Sequence, residues 1–179
     1  MGLKCNECGK EVETLPLKCA HSINVNYETN QWECYMENCG IISLSEFVCE
    51  NCCINKKIME SNKVLENLAE KNDEFHQELG YFKKNIVQTK LINSDFKYWV
   101  TFGEGEFKCG KGEIEGATIF ITSPKKIMNQ ILLGNIDAYS EFLAGNIKFE
   151  GDLQYGVVYF DLLKLGLEIS KEKEVLIVE

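Results

Sequence analysis

The sequence predicts an α+β domain preceded by a small metal-stapled module, and three observations carry that prediction. Eight of the nine cysteines fall in the first 53 residues, mostly in close pairs. An amphipathic stretch with three- and four-residue apolar steps follows them. Beyond it the apolar period drops to two for four segments and then returns to helical spacing, the order of an α+β domain rather than of alternating βα units. The expected divisions are 1–53, a zinc-binding module; 54–88, an amphipathic connecting helix; and 89–179, the α+β domain.

In residues 1–53 only short strand-like pieces such as SINVNYE and SEFVC stand out, too little to bury a core without a staple. Over 54–88, Ile58, Leu65, Leu68, Phe75, Leu79, Phe82 and Ile86 form a near-heptad stripe, interrupted by Ser61 and Asn72. Such a stripe either packs on its own sheet, serves as a spacer, or pairs in a coiled coil. We expect Phe75 to Phe82 to meet the sheet and the earlier part to project. NIVQTKLI, FKYWVTFG, GEFKCGKGE and GATIFITS read as strands separated by turn signals. Ser123 is expected to cap the next helix with Pro124 in its first turn; that helix carries Ile127, Ile131 and Leu132 on one face and stops at Gly134. Asp137 is expected to cap a short helix ending at Gly145. NIKFEGD is a strand, and LQYGVVYFDLLKLGLEIS a final apolar helix.

Composition narrows the function. Net charge is −9, with no arginine among the 19 basic residues. Residues 1–53 hold three Lys against eight Glu, a net of −5. Arginine is the residue suited to bidentate phosphate and guanine contacts, so nucleic acid is not an expected partner. No apolar run approaches the ~18 residues of a membrane span. The start lacks a basic region followed by an apolar stretch, so a cytoplasmic protein is expected.

The cysteines read as metal ligands. Cys5-x2-Cys8, Cys19-x-His21, Cys34-x4-Cys39 and Cys49-x2-Cys52 supply eight donors in four pairs, enough for two closed tetrahedral zinc ions. Histidine has no place in a disulfide framework, which would also need an oxidising compartment. Iron–sulfur chemistry is the other alternative. Cys53 is then a spare thiol or a substitute ligand. With a Cys-x-His as the second pair, the order resembles treble-clef and RING-like zinc modules. In the cross-brace of RING-like modules alternate pairs share an ion, which implies Cys5, Cys8, Cys34 and Cys39 on one zinc and Cys19, His21, Cys49 and Cys52 on the other. The 12-residue gap before Cys34 departs from the RING pattern, so the zinc is carried over and ubiquitin-ligase activity is not.

The segment GATIFITSPKKIMNQILLGNIDAYSEFLAGNIKFEGDLQYGVVYFDLL resembles the sterol carrier protein family of lipid-binding domains. The matching elements are a strand running into a helix that ends at Gly134, Ala138-Tyr139, and Gly145-Asn146-Ile147-Lys148-Phe149-Glu150-Gly151-Asp152. The resemblance implies a sheet of about five strands covered by helices around an apolar tunnel, without catalytic residues. Lipid contacts are then expected from Trp99, Phe120, Ile127, Ile131, Leu132, Tyr139, Phe142, Leu143, Phe149, Tyr155, Val158 and Leu162. The charge-free stretches from Met128 to Ile136 and Phe142 to Ile147 would form walls, with Lys125, Lys126 or Lys148 at the mouth.

Enzyme readings fare poorly. Of two histidines, His21 is claimed by metal and His76 lies on the amphipathic helix. The glycines of GEGEFKCGKGE lack a following Lys-Ser/Thr and read as turns. Cys109, beside Lys108, could be an activated thiol but reads better as a strand residue. The expected function is non-catalytic binding or transfer of a sterol, fatty acid or acyl-CoA, with a protein partner docking through the zinc module. The alternatives are an assembly scaffold whose domain has a closed core, or a RING-like component of the ubiquitin system.

Overall fold

The computed structural model describes residues 3–12, 23–26, 31–34, 41–43 and 48–176. The chain packs as two compact units, Met1–Cys53 and Ile54–Glu179. In the first, β1 (Leu3–Lys4) pairs with β2 (Glu11–Val12), and β3 (Ile23–Asn26), β4 (Gln31–Cys34) and β5 (Ile41–Ser43) form an antiparallel sheet in that order. Val48 and Cys49 are not strand; they lead into α1 (Glu50–Lys71).

The expected single helix over 54–88 is two helices and the start of a strand. α1 stops at Lys71, α2 spans Asp73–Gly80, and β6 begins at Asn85. Asn72 decides the break: its backbone is extended and its side chain accepts the Phe75 N–H at 2.8 Å, an N-cap. The residue that spoiled the stripe is therefore the cap that ends it. Ile58, Leu65, Phe75 and Leu79 have no exposed surface and belong to one core with the sheet. The stripe packs inside its own unit, so neither a projecting spacer nor a coiled-coil seam is formed by these residues.

β6 (Asn85–Ile92), β7 (Lys97–Gly103), β8 (Glu106–Lys111), β9 (Ile119–Pro124) and β10 (Lys148–Gly151) form a mixed sheet ordered β10-β9-β6-β7-β8. Only the β6–β9 pair in it is parallel. The β7–β8 turn puts Glu104 and Gly105 at φ 54° and 80°, the left-handed pair that a tight hairpin needs. Strand alternation sends Val87, Thr89, Tyr98, Val100, Phe102, Phe107, Ile119 and Ile121 to the buried face. Against that core pack α1, α2, α3 (Lys125–Leu132), α4 (Ala138–Leu143) and α5 (Leu153–Leu176). Gly166 lets α5 approach closely: a Cβ there would strike Leu65 and lie 3.2 Å from the Phe75 ring.

The two expected caps fare differently. Asp137 accepts the Ser140 N–H at 2.8 Å and caps α4 as expected. Ser123 does not cap α3. Its hydroxyl donates to the Pro124 carbonyl at 3.1 Å, and Pro124 itself takes the cap position. Among the described residues no helix is long and apolar enough to cross a membrane.

Candidate functional site

The apolar surface left over by the core collects along α4 and α5. One cleft of about 280 Å³ lies between the α3–α4 loop and α5, lined by Ile131, Gly134, Asn135, Ile136, Asp137, Ala138, Tyr139, Phe160, Leu163, Lys164, Leu167, Glu168 and Lys171. A second, of about 160 Å³, is walled by Tyr139, Phe142, Leu143, Phe149, Leu153, Gly156, Val157 and Phe160. The two share Tyr139 and Phe160. A third hollow of about 200 Å³ is lined by Glu78, Phe82, Val158, Asp161, Leu162 and Leu165.

Rings line the second cleft edge to face. Phe142 meets Phe149 at 6.4 Å and 78°, Phe149 meets Phe160 at 6.2 Å and 64°, and Tyr139 meets Phe160 at 6.2 Å and 70°. The Tyr139 hydroxyl donates to Asp161 Oδ1 at 3.1 Å, with the Val157 carbonyl 3.3 Å away. Burial first, then the Asp161 carboxylate, push this phenol up to about 12, so it stays a protonated donor. Leu143 is 84% exposed and Leu153 55%, an apolar rim facing solvent.

Of the residues expected to touch lipid, Ile131 and Tyr139 line the larger cleft, and Tyr139, Phe142, Leu143 and Phe149 the smaller. Val158 and Leu162 line the third hollow. Leu132 is core, and Ile127 and Tyr155 pack half-buried against it. Trp99 and Phe120 are corrections. Each sits between core-facing neighbours, so strand alternation turns both to the opposite face of the sheet. There Trp99 covers its cross-strand partner Gly110, where an added Cβ would overlap the indole. The charges at the larger cleft are Lys164 and Lys171 with Asp137 and Glu168; Lys125, Lys126 and Lys148 line none of the three hollows. Phe160, Val157 and Leu153 were missed: the charges of α5 at Asp161, Lys164, Glu168 and Lys171 share one face, and the spacing does not say which of the other apolar positions line a cleft.

Cys109 is no activated nucleophile. It is buried, its thiol points at Glu66 Oε2 3.6 Å away, and burial followed by that carboxylate pushes it up to about 11. His76 is exposed on α2 and lies over Gly105, with Nδ1 3.3 Å from the Ala69 carbonyl.

In the first unit, Cys5, Cys8, Cys49 and Cys52 bring their sulfurs within 4.8 Å of one another. Cys5 and Cys8 sit on the turn after β1, closed by the Gly9 N–H to the Cys5 carbonyl at 2.8 Å; Gly9 takes φ +69°. Cys49 and Cys52 sit at the start of α1, where helical geometry turns both sulfurs to one side. The Cys49 N–H donates to Cys5 Sγ at 3.3 Å, and Cys8 Sγ lies 3.8 Å from Cys49 Sγ. Zn–S bonds of about 2.3 Å in a tetrahedron imply sulfur separations of about 3.8 Å, so the four thiols fit one such ion. Burial opposes a charge on Cys5, but N–H groups of Cys49, Cys8 and Glu7 outweigh it and bring its thiol down to about 6. The cross-brace expected the first pair to share its ion with Cys34 and Cys39; among the described residues it meets the last pair instead. Cys19, His21 and Cys39 lie outside the described residues, as does the side chain of Cys34.

Residues 62–164, more than half of the chain, match the SCP-2 sterol transfer family. The chain belongs to that family. The SCP-2 match starts inside α1 and ends inside α5, so it takes in the whole sheet and leaves the four cysteines outside. No curated protein matches the chain. Three similar solved structures are an SCP2 ubiquinone synthesis protein, UbiJ, the Yarrowia lipolytica sterol carrier protein 2 in its apo form, and sterol carrier protein domain 2 of Helicoverpa armigera. The first is 10% identical over 68% of this chain and 96% of its own, with a TM-score of 0.47. The second is 17% identical over 57% and 86%, with a TM-score of 0.47. The third is 17% identical over 63% and 89%, with a TM-score of 0.48.

Proposed function

We propose that this protein is a non-catalytic lipid-binding or lipid-transfer protein whose ligand is a fatty acid, an acyl-CoA or a sterol. The observation that carries the reading is the smaller cleft, a solvent-open hollow with no charged side chain in its wall and rimmed by exposed Leu143 and Leu153. Exposed apolar surface of this kind is costly in water unless something covers it. Burying a chain there contributes about 0.8 kcal/mol per methylene. Membership of a sterol transfer family supports the same ligand class.

The cysteine site is read as structural zinc, closed by four protein ligands and so offering no position for a reacting water. Thiolate ligation suits a reducing, cytoplasmic setting. The module it staples is the natural docking surface for a protein partner. The second of the two expected ions would draw on the remaining donors, Cys19, His21, Cys34 and Cys39.

A scaffold role is the second reading, favoured by a specific feature. The layer between sheet and helices is solid, with Tyr98, Val100, Phe102, Ile119 and Ile121 fully buried, and the clefts are smaller than the ~300 Å³ typical of ligand sites. Uptake of a fluorescent fatty acid or sterol by the delipidated protein decides between the two. Uptake at micromolar concentration supports the lipid reading, and its absence in folded protein rejects it. Native mass spectrometry of the same sample reports the zinc count.

A further inference from the structure

We infer that Tyr139 is a door between a head-group cleft and a tail cleft, so that the ligand is a single-chain amphiphile with an anionic head threaded from one to the other. The inference rests on the lipid-binding reading and adds which part of the ligand lies where. The two clefts differ in chemistry. At the larger, α5 supplies Lys164, Glu168 and Lys171 and the α3–α4 loop supplies Asp137; Lys164 lies close enough to Asp137 to help hold that carboxyl below its ordinary value, and Lys171 Nζ sits over Gly134. The smaller cleft has no charged side chain in its wall. The polar end of an amphiphile is favoured in the first, where the two lysines can meet a carboxylate or phosphate, and a hydrocarbon chain in the second.

Tyr139 and Phe160 are the residues common to both walls, and Phe160 is fixed in the core at 5% exposure. Tyr139 is the movable member. It sits in the first turn of the six-residue α4, between Gly134 and Gly145, both at positive φ. Its ring stands edge-on to Phe160 and its hydroxyl is latched to Asp161 and the Val157 carbonyl. A chain longer than one cleft must break that latch and swing the ring, which penalises long chains but not short ones.

The test uses the full-length delipidated protein and two probes, decanoic and palmitic acid, titrated calorimetrically against wild type, Y139F, Y139A and a K164A/K171A double variant. Each further methylene buried is worth about four-fold in affinity. The ratio of palmitate to decanoate affinity is therefore expected to rise about ten-fold or more in Y139A, and to rise in Y139F, which keeps the ring and loses the latch. The double lysine variant should weaken both acids and leave the ratio alone. An unchanged ratio in folded Y139F, with wild type binding both acids, overturns the door while the lipid reading stands. Undiminished binding by the lysine variant overturns the head-group assignment. Uptake by Y139A but not by wild type supports the door; no uptake by any variant overturns the lipid-binding reading and the door with it. If Y139A does not fold, Y139F, which loses both latch bonds, and D161A, which loses the Asp161 acceptor, keep the ring and replace it: a raised ratio supports the door and an unchanged one overturns it.

Discussion

The ring of Phe149 on β10 occupies the space where a side chain on Gly156 of α5 would begin; a Cβ there would overlap its Cζ, Cε1 and Cε2. The missing side chain is what lets Phe149 lie against α5 and leave the smaller cleft open. Gly156→Ala should drive the ring outward and fill that cleft. We expect a loss of roughly 1–3 kcal/mol from overpacking, read as a shift of the urea midpoint, and loss of fluorescent fatty-acid uptake. Uptake equal to wild type in the folded variant would show that the ligand lies elsewhere.

Asn72 both ends α1 and caps α2. Asn72→Ala removes the acceptor for the Phe75 N–H and should cost about 1 kcal/mol, whereas Asn72→Asp should cost little. Chemical denaturation of the three proteins checks this, and equal midpoints for all three would refute the cap.

The cysteine site predicts a clean division of roles. Cys49→Ser should remove one zinc per chain, and Cys53→Ser should leave the zinc content unchanged, because Cys53 lies outside the four-sulfur cluster. Chelation should raise hydrogen exchange in β1, β2 and the first turn of α1 while the sheet of the second unit stays protected. Elemental analysis giving iron would overturn the metal assignment.

Acid should loosen α4 before the rest of the domain. N–H and hydroxyl bonds from Ser140 hold the Asp137 carboxyl below its ordinary value of 3.8. A lowered carboxyl contributes stability that is full above the ordinary value and lost as pH falls through the lower, folded value. As pH falls through 3.8 and below, the protection of amides in α4 should therefore fall in wild type. The Asp137→Asn variant, which keeps a capping oxygen without the charge, should show no such dependence.

Among the described residues, Asn62 Oδ1, Thr89 Oγ1 and the hydroxyls of Tyr98 and Tyr159 are core oxygens grouped around Tyr98 with no well-formed hydrogen bond between them. Thr89 and Tyr98 are cross-strand partners on β6 and β7. Removing an unsatisfied group costs little, so Tyr98→Phe should leave stability within about 1 kcal/mol of wild type or raise it. A loss of several kcal/mol would mean the hydroxyl is bonded.

Much of this protein is legible in its sequence because the relevant physics is local. Period-two alternation marked β6 to β9, turn residues marked their ends, and Asp137 announced α4, since each depends on neighbours a few residues away. Pair spacing identified cysteines as ligands for the same reason: Cys5-x2-Cys8 and Cys49-x2-Cys52 each place two sulfurs on one turn. Which pair joins which is a separate matter. It depends on a return of the chain across more than 40 residues, and spacing carries no information about that return. The same limit explains Trp99 and Phe120, which the family resemblance put on a ligand wall; tertiary packing chose which sheet face is covered, and both fell on the other one. It explains α5 as well, where apolar residues flank both sides of the charged stripe of Asp161, Lys164, Glu168 and Lys171, and only the neighbouring α4 and β10 decide that Phe160 and Val157 line a cleft while Tyr159 goes into the core. Composition and period set the elements. Long-range packing alone set which side of each element becomes a site, because burial is a property of the partner surface and not of the residue.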